Sequence, residues 1–196
     1  MNSTVTNNEA GYGGGIYIYT CNPTLTNIII DNNVAGNGGG IYTIHSSPNL
    51  IDLTISNNTS TLFGGGLAVD GYDIQNEPSD IGATLTNVKI IGNSAGSFGG
   101  GAYFEYAHYT LLNNVTITGN TAGDYAAGLY LARMTEAEQN PVFSTTSRCN
   151  IHSNVVEDER GYGQDIFLWL SVTLDVVVDT FTVSPATDYY ASPINS

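Results

Sequence analysis

Three observations predict an all-β fold, a single-stranded parallel β-helix (β-solenoid) of six to seven rungs. An apolar residue followed three positions later by Asn recurs six times: Val5 with Asn8, Ile30 with Asn33, Ile55 with Asn58, Ile90 with Asn93, Ile117 with Asn120, and Ile151 with Asn154. A glycine phrase follows in register, as in Gly13-Gly14-Gly15-Ile16-Tyr17, Gly38-Gly39-Gly40-Ile41-Tyr42, Gly64-Gly65-Gly66-Leu67-Ala68, Gly99-Gly100-Gly101-Ala102-Tyr103 and Ala126-Ala127-Gly128-Leu129-Tyr130, with Gly163-Gln164-Asp165-Ile166-Phe167 a worn sixth copy. Apolar residues within each copy alternate, as Ile16 with Ile18 and Ile28 with Ile30, which is the period of a strand with one buried face.

Each element of the copy has a physical role. Its strands are too short to bury an apolar face alone and must stack on the next copy, so a repeat of about 25 residues reads as one full coil. Stacked asparagines Asn8, Asn33, Asn58, Asn93, Asn120 and Asn154 are expected to form a ladder, each amide bonding its equivalent one rung away. The glycines admit backbone angles that a Cβ resists. Three residues before the apolar residue stand Asn27, Asp52, Asn87, Asn114 and Arg148; one position later, Ile28, Leu53, Val88, Val115 and Cys149 form a core column. At about 4.8 Å per rung the solenoid is about 30 Å long.

Composition closes several functional classes. With 18 acidic residues against four basic ones (Lys89, Arg133, Arg148, Arg160) and a net charge of -14, the chain cannot offer the basic surface that nucleic acid or an anionic membrane requires. No apolar run is long enough to span a bilayer, and the first residues do not read as a signal peptide. Because the repeat is already running near Met1, residues 1–196 are expected to be one β-helix domain, a fragment of a larger surface or secreted protein. Cys21 and Cys149 lie too many rungs apart to bond and make no zinc site. No glycine phrase is followed by the Lys-Ser/Thr of a phosphate loop. The outward threonines are too irregular for an ice-binding array.

The pairing of Gly-Gly-Gly-Ile-Tyr with Ile-x-x-Asn, covering roughly Val5 to Phe167, resembles the Gly-Gly-Ala-Ile and Phe-x-x-Asn repeats of chlamydial polymorphic outer membrane proteins. It is similar also to phrases in secreted bacterial right-handed β-helix proteins of pectate-lyase-like fold. Ile or Val stands here where the chlamydial family has Phe. The resemblance implies a right-handed coil, an extracellular or cell-surface location and a passenger or adhesin role. It carries over no catalytic residue.

Candidate chemistry lies on the strand after the glycines. Its second position holds Tyr17, Tyr42, Ala68, Tyr103, Tyr130 and Phe167, which alternation places outward as an exposed aromatic stripe. Tyr42, Tyr103 and Tyr130 are therefore the expected ligand-binding residues, for sugar rings or a protein surface. Its fourth position sets Asp70 beside Glu105, with Arg133 one residue further along on the next rung. Two stacked carboxylates invite a cation, so Asp70 and Glu105 are a candidate calcium site, and with Arg133 a candidate catalytic set for a polysaccharide lyase or glycoside hydrolase. Long inserts at 70–82 and 132–145 leave the coil beside this column. His45, His108 and His152 fall at unrelated offsets.

The sequence thus favours a non-catalytic structural or adhesive module, with a carbohydrate-active domain as the alternative. Cofactors are none, or calcium; partners are a glycan or a surface protein. Strand-like residues 173–183, followed by Pro185 and Pro193, suggest head-to-tail self-association.

Overall fold

The computed structural model of the chain describes residues 3–71, 81–132, 141–144, 146–159, 161–169 and 190–191. They form a right-handed parallel β-helix in which each coil crosses four parallel sheets in turn. The first sheet runs Ser3–Thr6, Ile28–Asp31, Thr54–Ser56, Lys89–Ile91, Thr116–Thr118 and Asn150–His152. The second holds Glu9–Tyr12, Val34–Asn37, Thr59–Phe63, Ser94–Ala95, Thr121–Ala122 and Val155–Val156. The third is built of Ile16–Tyr19, Ile41–Ile44, Leu67–Asp70, Ala102–Glu105, Leu129–Ala132, Ile166–Trp169 and Tyr190–Ala191. The fourth contains Thr24–Thr26, Asn49–Ile51, Thr84–Thr86, Leu111–Asn113 and Val142–Phe143. Residues 173–183, with Pro185 and Pro193, lie outside the described residues.

Registration is residue on residue apart from one extra residue in the second sheet between Ser60 and Phe63, so the sequence columns become physical columns. Val5, Ile30, Ile55, Ile90, Ile117 and Ile151 are successive partners in the first sheet. Leu25, Leu50, Leu85, Leu112 and Phe143 are partners in the fourth. With Leu67, Val69, Phe104 and Leu131 of the third sheet they enclose a continuous, mainly aliphatic core. Cys149 packs against that core half-buried rather than fully enclosed, and burial pushes its thiol pKa up. Cys21 is exposed, and both thiols are free. Thr43 interrupts the core between Ile18 and Val69, and its buried hydroxyl has no hydrogen-bond partner.

Asparagines of the repeated phrase point into the coil and are buried from Asn33 to Asn154. Each donates its side-chain amide to the next rung's Oδ1: Asn8 to Asn33 at 2.9 Å, Asn33 to Asn58 at 2.9 Å, Asn58 to Asn93 at 3.0 Å, Asn93 to Asn120 at 3.0 Å, and Asn120 to Asn154 at 2.9 Å. Its backbone N–H donates to the same oxygen. From Asn33 on, Nδ2 also reaches the carbonyl of the phrase's apolar residue one rung back, as Asn93 reaches Ile55 at 3.0 Å. One side chain therefore ties three rungs.

That ladder explains the third glycine of each phrase. A Cβ on Gly101 would stand 2.9 Å from Asn120 Nδ2 and 2.7 Å from the Gly128 carbonyl oxygen, so a side chain and a ladder amide exclude one another. At the equivalent slot of the sixth copy stands Asp165, buried, whose Oδ1 accepts from Asn154 Nδ2 at 2.8 Å and from its backbone N–H at 3.1 Å. After Asn154 the sequence has no asparagine until Asn195, and the carboxylate closes the column.

The corners are turned by the neighbouring slots. Asn27, Asp52, Asn87 and Asn114 all have φ near +55°, as do Asn7, Asn32 and Asn57, a left-handed conformation that Asn and Asp tolerate best after Gly. They form outer columns of their own: Asn114 donates to Asn87 at 2.8 Å and Asn87 to Asp52 at 2.9 Å.

Two stability measurements check this account. Asn93→Ala strands donors on Asn58 and the Ile55 carbonyl in the interior, and should cost about 1–3 kcal/mol by denaturant unfolding. Asn8→Ala, on an exposed rung, should cost less than half as much. Conversely, Thr43→Val keeps the shape and removes the unpaired hydroxyl, and should raise stability by about 1 kcal/mol.

Candidate functional site

The outer face of the third sheet gathers the sequence-designated residues. Tyr17, Tyr42, Ala68, Tyr103, Tyr130 and Phe167 are successive register partners. Their exposure differs from expectation. Tyr17 is 51 % exposed, but Tyr42 is 8 %, Tyr103 7 % and Tyr130 1 % exposed. The stripe is not an open platform, because a second aromatic column roofs it.

The roof comes from the residue immediately before each glycine phrase: Tyr12, Asn37, Phe63, Phe98, Tyr125 and Tyr162. The left-handed residue that follows, such as Gly64 at φ +63° or Gly99 at φ +66°, turns the chain from the second sheet into the third. Four roof rings pack on the stripe ring one rung ahead: Tyr12 on Tyr42 at 5.3 Å between centroids, Phe63 on Tyr103 at 5.0 Å, Phe98 on Tyr130 at 5.2 Å, and Tyr125 on Phe167 at 5.3 Å. Rings also stack along the columns, Phe63 on Phe98 and Tyr103 on Tyr130. Each such pair adds about 0.5–1.5 kcal/mol beyond area burial. The fixed offset before the glycines was the signal that sequence reading passed over.

One step of the zigzag lacks rings. Asn37 of the roof faces the step to Ala68 of the stripe, and the Asn37 Oδ1 is buried without a hydrogen-bond partner. Beside this break lie both candidate carboxylates. Asp70 and Glu105 are register partners on adjacent strands, about 5 Å apart at the backbone. With only a methyl at Ala68, Tyr42 reaches across to the next rung, and its hydroxyl donates to Asp70 Oδ2 at 3.0 Å. Tyr103 donates to Glu105 Oε2 on its own strand at 2.6 Å. The stacked carboxylates are thus each held by a phenol. Burial, then the neighbouring carboxylate, pushes the Tyr42 pKa well above the tyrosine range; Tyr103 is raised by burial, its hydrogen bond to Glu105 and that group's charge.

Arg133 lies outside the described residues, as do 72–80 and 133–140 of the two inserts. Among the described residues no three His, Cys, Asp or Glu side chains are grouped to hold a metal ion. His108 is buried, His45 packs near Tyr19 with ring centroids 6.2 Å apart, and His152 lies near Ser153 and Thr118. The exposed rings among the described residues lie mostly toward the two ends of the coil: Tyr12, Tyr17 and Tyr19 on the first rung, Tyr162 and Trp169 on the sixth, and Tyr109 between them.

Residues 27–44 match the family model for the Chlamydia polymorphic membrane protein (Chlamydia_PMP) repeat. The match takes in Ile30 with Asn33 and Gly38 to Ile41, one ladder rung with its glycine corner. Comparison with curated proteins and with solved structures gave no match. The chain therefore carries a polymorphic-membrane-protein-type repeat on a parallel β-solenoid, an arrangement that fits a surface or structural module. Among the described residues no helix is long and apolar enough to cross a membrane.

Tyr103→Phe removes a phenol donor to a carboxylate and should cost about 1.5–3 kcal/mol. Because the folded pKa values of Tyr42 and Tyr103 are raised, the unfolded chain ionises first as pH climbs past about 10. Their contribution is complete below that pH and drains away above it. The denaturant midpoint should fall on the alkaline side, less steeply in a Tyr42→Phe, Tyr103→Phe double variant.

Proposed function

We propose that the chain is a non-catalytic structural or adhesive β-helix module of an extracellular or cell-surface bacterial protein. The observation that carries this reading is the matched surface-protein repeat at 27–44 recurring, in phrase and register, along the solenoid. A module of this type offers a stiff spacer whose outer faces present ligand contacts to a glycan or a surface protein. The excess of acid over base makes nucleic acid an unsuitable partner. The buried rings of Tyr42, Tyr103 and Tyr130 favour a structural role for the stripe.

A second reading, a calcium-assisted lyase or glycoside hydrolase, is supported by the registered pair Asp70 and Glu105. In it the two carboxylates hold calcium or act as acid and nucleophile, with Arg133 as the cation nearby. A glycan array read with a reducing-end assay, with and without calcium, separates the two. Binding of a glycan or surface protein without turnover is the expected outcome, and turnover of any glycan favours the second. If the pair holds calcium, millimolar calcium should raise the unfolding temperature of the wild type more than that of Glu105→Gln. Equal responses remove the metal from this column.

A further inference from the structure

The stability of stacked coils is close to a sum over the coils and the contacts between neighbours, so such a stack opens where one contact is weakest. Counting the coil of Asn8 as the first, the second carries Asn33 and the third Asn58. Several defects meet in the contact between these two. Its roof and stripe slots hold Asn37 and Ala68, and among the described residues no aromatic pair joins the second coil to the third. Across the contact before it Tyr17 stacks on Tyr42 at 5.8 Å, and across the contact after it Phe63 stacks on Phe98 at 5.2 Å.

Buried polar atoms without a hydrogen-bond partner lie on both sides of the same contact: Asn37 Oδ1 and Thr43 Oγ1 on the second coil, Ser60 Oγ on the third. The columns show what two of these slots otherwise hold. Thr43 stands between Ile18 and Val69, and Ser60 between Ala35 and Ala95. Each hydroxyl is therefore desolvated in an apolar column with no bond in return. The second sheet also takes its extra residue here, between Ser60 and Phe63, which disrupts the ladder locally.

What bridges the missing rings is one side-chain bond. The Tyr42 hydroxyl of the second coil passes over Ala68 to Asp70 Oδ2 of the third, at 3.0 Å. The matching bond from Tyr103 to Glu105 lies within a single strand and ties no coils together. Elsewhere the contact keeps the asparagine ladder and, at the first-sheet corner, donors from Ser56 and Asn57 to Asp31.

From this coincidence we infer that the contact between the second and third coils is a built-in seam at which the solenoid parts into two blocks, latched on its outer face by the Tyr42 hydroxyl on Asp70. Each block keeps its own ladder and ring stacks when the seam opens. Opening bares the strand edges of the two coils and releases Asp70 from its phenol. A coil of even contacts would instead loosen gradually along its length. The seam thus confines yielding to one preset place in an otherwise stiff rod, whatever its outer faces bind.

Native-state amide exchange of the full chain reads each contact through the N–H groups that cross it. Gly38, Gly39, Ile41 and Thr59 donate across the seam, and Gly64, Gly65, Leu67 and Ser94 across the next contact. The seam set should exchange about tenfold or more faster than the next set. Tyr42→Phe should speed the seam set by a further fivefold or so and leave the next set unchanged, whereas Tyr103→Phe should not speed the seam set. The paired repair Thr43→Val with Ser60→Ala, which gives each slot an apolar side chain like those of its column, should slow the seam set by about fivefold or more. Equal rates at the two contacts, or rates that fall evenly from contact to contact along the coil, would overturn the inference. So would a Tyr42→Phe effect no larger at the seam than that of Tyr103→Phe, or a repair that fails to slow the seam set or slows every contact alike.

Discussion

A buried side-chain amide must find every partner it loses from water, and in this protein the partners lie on the rungs above and below. That requirement controls the rest of the coil. The ladder oxygen and Nδ2 come within bonding distance only if successive rungs keep one spacing and one register. Between the ladder asparagine and the third glycine the chain therefore allows little variation, seven positions from Asn33 to Gly40 and eight from Asn120 to Gly128. Length is absorbed after the third sheet, beyond the reach of the ladder, where both long inserts leave the coil.

The coil has a second apolar assembly outside its wall. Inside, aliphatic columns fill the lumen; outside, stripe and roof rings interleave across the corner between second and third sheets. The two assemblies meet at the glycine corner, which must be small to admit the ladder and left-handed to set the roof residue over the stripe. Replacing the first glycine, as Gly64, would strain the left-handed turn under the roof, and replacing the third, as Gly66, would crowd the ladder amide. This coupling gives the Gly-Gly-Gly phrase a more specific physical basis than chain flexibility.

Much of this was legible in the residues, and the remainder was hidden for identifiable reasons. Alternation and fixed offsets mark the coil, the columns of Ile and Leu, and the recurrence of asparagine at one slot. They do not tell whether an outward ring is covered, since alternation describes one strand and the roof comes from the preceding one. Tyr42, Tyr103 and Tyr130 were thus assigned to an open surface that the structure closes. Asp70 and Glu105 were correctly read as neighbours, because register alone makes them so, but their phenol partners depend on how far Tyr42 and Tyr103 lean across the face. Asp165 looked like decay of the glycine phrase. In space it takes the room that a following ladder amide would need.

The uniform orientation of the ladder has an electrostatic corollary. Stacked amides that each turn Oδ1 toward the rung before and Nδ2 toward the Oδ1 of the rung after sum their dipoles along the solenoid axis, as peptide groups do in an α-helix, with the positive pole at the C-terminal end of the row. Asp165 sits at that pole. Its carboxylate complements a field to which every asparagine from Asn8 to Asn154 contributes, so the column behaves as one polarised unit rather than a set of separate hydrogen bonds.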